Sequence, residues 1–310
     1  MQTTLKSAAT FEGAGLHTGV NARMTVRPAP AGHGIRFLRT DIARQGAGLD
    51  PVVPALWKNV TASRLCTVIA NGDGVSVSTV EHIMAALAGC GVHNARIEID
   101  GPEVPILDGS AAFFAAGLLA QGIETLDAPL MCLEILAPVE VREGEAVARL
   151  EPAETLEIAF SIDFADAAIG QQEKELVLAN GAFVRELSDS RTFCRQADVE
   201  AMRDSGLALG GSYFNAVVVE GDRVLSPGGL RHADEAVRHK MLDALGDLAL
   251  AGAPVLGRYT GSRAGHALTN RLLRAVFAQP GAVRMVEVAD ARRALLPGVD
   301  VTLDEVPLHA

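Results

Sequence analysis

The chain has 310 residues, a length that at roughly 150 residues per domain favours two domains over one or three. Hydrophobic residues make up 49%, charged residues 21% and aromatics 4%; such a chain can bury roughly three quarters of its unfolded surface, so neither disulfides nor metal are needed merely to hold the fold. The 27 basic and 38 acidic side chains give a net charge of −11, which excludes a general nucleic-acid binder or a polybasic membrane-surface protein, because both must meet phosphate with excess Lys and Arg.

The opening MQTTLKSAATFEGAG lacks the apolar core of a signal peptide. Gly13, Gly15 and Gly19 are spaced G-x-G-x-x-x-G, one residue too long for a dinucleotide fingerprint, and they read as a turn. Strands are expected at Asn21 to Arg27, Arg64 to Ala70 and Ala95 to Ile99, and helices at Thr79 to Ala88 and Ala111 to Leu119. The apolar run Ala111 to Ala120 falls well short of the roughly 18 residues of a membrane-spanning helix, so it reads as a buried helix. Glu124 to Leu130 is the expected domain boundary, dividing the chain into 1–126 and 127–310, with Pro129 ahead of a strand from Met131 to Val141. Further strands are expected at Ala146 to Leu150, Leu156 to Phe164, Lys174 to Leu178 and Ala216 to Glu220. Helices are expected at Asp198 to Asp204, His232 to Ala251 and Ala267 to Phe277. Runs of strands followed by pairs of helices predict α+β layers in each half. Cys66, Cys90, Cys132 and Cys194 form no C-x-x-C pair; they read as small buried side chains suited to a reducing cytoplasm.

Three histidines invite a chemical reading. His82 follows Glu81 at a helix start, which can place a metal ligand beside a general base; the bland alternative is a capping box, S-x-x-E, from Ser78 to Glu81. Residue 86 is Ala, so no H-E-x-x-H zinc motif exists and other ligands must come from elsewhere. In HADEAVRHKMLDALGDLALA, His239, Asp243 and Asp247 share one face at i, i+4 and i+8, away from Val237, Met241, Ala244 and Leu248. His and Asp one turn apart can grip one ion, although spacing alone favours a solvated face with salt bridges from Arg238 and Lys240. His266 follows Gly261 and Gly265, which loosen the approach to a helix, with Arg263 placed to reach a phosphate. Gly210 and Gly211, without side chains, could let an acyl chain pass or could form a bulge.

In this order the pieces resemble the zinc-dependent UDP-3-O-acyl-N-acetylglucosamine deacetylases of Gram-negative lipid A synthesis. The likeness covers residues 3 to 279 and rests on GLHTG at 15–19, RPAP at 27–30, TVEHIMAAL at 79–87, PILDGSA at 105–111, SRTF at 190–193, LGGS at 209–212, VRHKMLDALGDL at 237–248 and GHAL at 265–268. The resemblance implies two α+β domains of similar topology, each a sheet on a pair of helices, with the active site between them. It implies one catalytic Zn²⁺ bound by His82, His239 and Asp243, Glu81 as general base, and Thr192 on the developing oxyanion. His266 would be the cationic stabiliser or acid, oriented by Asp247, with Lys240 near the substrate. Phe164 would stack on uracil and Arg263 would meet the diphosphate. The insert at about 191–219, with Phe193, Gly210, Gly211 and Tyr213, would form the acyl passage. The expected protein is a cytoplasmic monomer taking an acylated UDP-amino sugar, with no nucleic-acid partner and no transmembrane segment. Its rivals are a zinc amidase on another acylated amino sugar and a catalytically silent sugar-nucleotide binder. From Arg191 to Arg274 there are eleven Lys and Arg against nine Asp and Glu, so the acidity lies elsewhere and leaves room for one diphosphate.

Overall fold

Strict alternation makes the first sheet one-sided. In Asn21–Pro28 the side chains of Ala22, Met24 and Val26 are buried while Asn21, Arg23 and Arg27 face solvent, so one face can take helices and the other water. In the computed structural model, which describes residues 1–309 apart from 47, 64 and 289, this sheet has the order Ala9–Ala14, Asn21–Pro28, Ala95–Ile99, Ile35–Arg39, Val52–Pro54. Its neighbours are antiparallel except Ile35–Arg39, which runs parallel to Ala95–Ile99. Thr3–Leu5 pairs with Ile123–Thr125 and so joins the two ends of this half. The helix Ala112–Ala120 is hydrophobic all round and mostly buried; Phe114 meets Phe11 of the sheet edge-on at 5.0 Å between ring centres.

The second sheet has seven strands. Its path is Val139–Glu143, Ala146–Glu151, Val255–Ser262, Met131–Ile135, Val283–Glu287, and Leu156–Asp163 runs parallel to Val255–Ser262 while carrying Gln171–Val177 as an antiparallel partner. The helices Glu235–Ala249 and His266–Ala278 belong to this half. The fold is therefore α+β, with a sheet and a pair of long helices in each half. Among the described residues no helix is long and apolar enough to cross a membrane.

Local chemistry accounts for the differences from expectation. The single strand expected from Met131 to Val141 is two, Met131–Ile135 and Val139–Glu143, because Pro138 supplies no N–H to a ladder. The strand expected from Arg64 forms only at Val68–Ala70, and Arg64 itself lies outside the described residues. Gly261 does not loosen a loop: it sits inside Val255–Ser262, where a Cβ would come within 2.6 Å of the Phe160 ring. The C-terminal residues carry no motif yet are built into the fold. Val283–Glu287 extends the sheet antiparallel to Met131–Ile135, and Leu296 packs with Leu130, Cys132 and Leu256.

One contact sets the site. The helix Glu81–Gly89 packs against Glu235–Ala249 so closely that a Cβ on Gly246 would lie 2.0 Å from the Glu81 carbonyl oxygen. Only a residue without a side chain lets the two helix segments bearing the candidate ligands meet.

Candidate metal centre and active site

His82 comes from the first turn of Glu81–Gly89, and His239 and Asp243 from consecutive turns of Glu235–Ala249. Each offers a ligand atom within 4.8 Å of the others, and all three are buried. His82 Nε2 lies 3.7 Å and His239 Nε2 3.3 Å from Asp243 Oδ1. The His239 Nδ1–H donates to the Ser190 carbonyl at 3.0 Å, which leaves the Nε2 lone pair facing the cluster. Burial depresses the His239 imidazolium to about 4, so the ring is neutral and its lone pair is available to a metal. Burial opposes ionisation of Asp243, but His239, Lys240 and His266 outweigh it and hold the carboxyl well below its usual range. Asp243 Oδ1 and His82 Nδ1 are buried without any hydrogen-bond partner. An orphaned carboxylate oxygen between two imidazole nitrogens is costly without a cation, and two nitrogens with one oxygen is a donor set that suits Zn²⁺ with an open position.

Beside the cluster stand further titratable groups. The alternative reading of Glu81, a capping box with Ser78, is not what forms: Ser78 Oγ donates to the Pro102 carbonyl, while Glu81 Oε2 accepts the Thr67 N–H at 3.0 Å. Burial pushes the Glu81 carboxyl up, against the opposing pull of His266 and His82. His266 opens its helix, with Nε2 at 3.8 Å from Glu81 Oε1 and 3.9 Å from Asp243 Oδ2. Its Nδ1–H donates to Asp247 Oδ2 at 2.8 Å, and Thr67 Oγ1 donates to the other oxygen of Asp247 at 2.6 Å. Burial alone would neutralise His266, but Asp247, Glu81 and Asp243 raise it to about 9, so it is protonated at neutral pH. Lys240 Nζ donates to Asp243 Oδ2 at 2.7 Å; burial disfavours its charge, yet the surrounding carboxylates raise its affinity for the proton. The solvated polar face is thus not what this helix presents: only Arg238 makes the anticipated surface pairs, with Asp234 and Glu186.

These groups border a cavity of about 730 Å³ with a largely apolar lining. Glu81, His82, Thr192, His239, Lys240, Asp243 and His266 reach it, and Asp247 stands behind His266. A second cavity of about 540 Å³, elsewhere between the halves, holds none of them. The sequence profile of the UDP-3-O-acyl N-acetylglycosamine deacetylase family matches residues 2–278. The chain is 50% identical over 289 residues to the UDP-3-O-acyl-N-acetylglucosamine deacetylase of Phenylobacterium zucineum, covering 93% of this chain and 97% of that one. It is 47% identical over 299 residues to the enzyme of the same name from Myxococcus xanthus, covering 96% and 92%. The chain belongs to this deacetylase family.

In this family member Phe164, Phe193, Gly211 and Tyr213 border the cavity, with Phe164 edge-on to Phe193 at 5.3 Å. Gly210 does not. Its missing side chain admits the Gly15 carbonyl, 2.2 Å from where a Cβ would stand, and so seats the GLHTG turn. Arg263 does not border the cavity either: its guanidinium pairs with Asp163 and Glu145 at the surface. The insert is a small β-α-β unit. Phe193–Arg195 runs parallel to Val217–Glu220, and between them Gln196–Asp204 has no buried residue but turns Val199 and Met202 to the cavity.

Several contributors carried no signal of their own in the sequence. Thr67, an ordinary strand threonine by pattern, links Glu81 to Asp247. Glu103, fully buried, accepts from the His17 and Thr18 N–H groups and from the Thr79 hydroxyl, and so brings His17 to the cavity wall. Cys66 also borders the cavity, where burial and Glu81 push its thiol up to about 12; it is no nucleophile.

Proposed function

We propose that this chain hydrolyses the N-acetyl group of UDP-3-O-acyl-N-acetylglucosamine in lipid A biosynthesis, with one Zn²⁺ held by His82, His239 and Asp243. The observation that carries the reading is the orphaned Asp243 Oδ1 set between two imidazole nitrogens, with a protonated His266 from a third helix 3.9 Å from its other oxygen and 3.8 Å from the buried Glu81. Bound there, the ion supplies Lewis-acid polarisation of the amide carbonyl and of a water.

The residues divide the remaining work. The Glu81 carboxylate takes a proton from the attacking water, for which an affinity raised by burial suits it. The Thr192 hydroxyl, on the cavity wall, donates to the oxygen that becomes negative. His266 keeps a proton on Nε2 for the leaving nitrogen because Asp247 engages its Nδ1–H. The amide C–N bond breaks, acetate leaves, and the sugar retains a free amine. Lys240 balances Asp243 and presents a cation to the cavity. Phe193, Gly211 and Tyr213 line the acyl passage, and Phe164 is offered to the uracil. Residues 1–126 and 127–310 serve as the two domains of a cytoplasmic monomer.

Deacetylase activity on the UDP-linked substrate, measured before and after chelation and after Zn²⁺ is returned, tests the reading. Loss and recovery support it; turnover indifferent to chelation overturns the metal assignment.

A further inference from the structure

Asp189 is a fully buried carboxylate outside the catalytic cluster. Such a group is costly unless donors surround it, and here two histidines supply them. His232 Nε2 lies 2.9 Å from both carboxylate oxygens, and His309 Nε2 lies 2.7 Å from Oδ2. The Asp189 backbone carbonyl accepts from Arg231 Nη1 at 2.7 Å, and the same nitrogen lies 2.9 Å from Asp108 Oδ2. One residue is therefore pinned through both its side chain and its backbone.

The three residues that follow it organise the site. The Ser190 carbonyl takes the Nδ1–H of His239, Arg191 binds Glu235 at the start of the His239 helix, and the Thr192 N–H donates to the Gly109 carbonyl at 2.8 Å. The Ser190 hydroxyl is buried without a partner and adds no anchor. The Ser190 N–H donates to the Leu187 carbonyl at 3.0 Å, and the rest of the hold on the Ser190 carbonyl falls on its neighbours, Asp189 and Arg191. His309 reaches Asp189 from far along the chain. Its segment passes the end of the Glu81 helix, where a Cβ on Gly298 would stand 2.2 Å from the Gly91 nitrogen, and continues past the Arg185–Glu305 ion pair.

We propose that Asp189 is a positioning residue for the deacetylation, and that the C-terminal segment completes the site by delivering His309 to it. Without that donor the buried carboxylate keeps only the His232 ring, the 189–192 loop slackens, and the Ser190 carbonyl holds the orientation of His239 less firmly. The inference rests on the deacetylase reading.

The test uses the full chain loaded with Zn²⁺ and follows kcat, KM and the rate of metal loss to a chelator. The direct outer partner of a metal-binding histidine, here the Ser190 carbonyl, is worth roughly 10- to 100-fold; acting through it, His309→Ala should lower kcat by up to roughly tenfold, speed metal loss by a similar factor and leave KM within about twofold. His309→Gln, whose amide can still donate to Asp189, should restore most of both. Glu305→Ala cuts the ion pair with Arg185 and the two bonds from Thr302 but removes no group that touches Asp189, and should leave both near wild type. Wild-type kcat and metal retention in His309→Ala would overturn the proposal. So would a loss that glutamine does not repair and Glu305→Ala reproduces, since tail packing alone would then explain it. A wild-type protein without deacetylase activity would instead sink the functional reading, while metal loss would still report on the clamp.

Discussion

The two walls of the cavity are built differently. On the helix wall His239, Asp243, Glu81 and His266 are each held by a named partner: the Ser190 carbonyl, Lys240, the Thr67 N–H and Asp247. On the insert wall the helix Gln196–Asp204 buries none of its residues, Tyr213 stands exposed, and next to the wall Leu209 and Phe214 are exposed as well, Phe214 at 76%. The first wall fixes directions, as catalysis demands. The second offers apolar area without direction, which suits a chain recognised by length rather than by hydrogen bonds. Chemistry and chain preference can therefore vary separately.

The sharpest break in that comparison comes from the helix wall. Glu81→Ala should lower kcat by roughly 10²- to 10⁴-fold while the protein keeps its metal, whereas His239→Ala should lose both; metal analysis beside a kinetic assay distinguishes them, and full activity with retained metal in the second variant would remove His239 from the ligand set. Next is Gly246→Ala, whose new methyl meets the Glu81 carbonyl. We expect a stability loss of about 1–3 kcal/mol in denaturant melts and a fall in kcat beyond that of an alanine placed at exposed Gly72, where a Cβ meets nothing. Asp247→Asn probes the proton on His266. With that charge gone the imidazolium is less stable, so the alkaline limb of kcat/KM, set by a group raised to about 9, should move to lower pH; an unmoved limb would assign it elsewhere. The smallest effect belongs to the insert wall. Met202→Ala should raise KM for a long 3-O-acyl chain by a factor worth about 1 kcal/mol of lost apolar contact and leave kcat unchanged; equal losses with short and long chains would show that this wall does more than bury surface.

The same division decided what could be read from the residues. The helix pairs, most of the longer strands and the His239–Asp243 spacing are repeating patterns within one element, so they stand in the sequence. Contacts between elements do not. Ser78 and Glu81 have the spacing of a capping box, yet Thr67 of another segment takes the carboxylate. Arg263 has the position of a phosphate ligand, but Asp163 and Glu145 sit nearer. Gly210 looks like clearance for a ligand and is clearance for the Gly15 carbonyl. Gln171–Val177 extends beyond the strand expected from Lys174 because its polar residues pair along one neighbour only, and charged edges hide a strand's pattern. Strands of two or three residues, such as Thr3–Leu5, are too short to show a period at all.

The strand Val255–Ser262 pairs with Ala146–Glu151, Leu156–Asp163 and Met131–Ile135, and all three leave the ribosome before it. At roughly 5–20 residues per second, Met131–Ile135 waits on the order of ten seconds for that partner. During synthesis three apolar strands stand with unsatisfied edges until the last of the set arrives, whereas the strands of the first sheet are all complete by Ile99. The second half, and with it His239 and Asp243 of the candidate metal site, is thus the part of the nascent chain most in need of shielding from other chains.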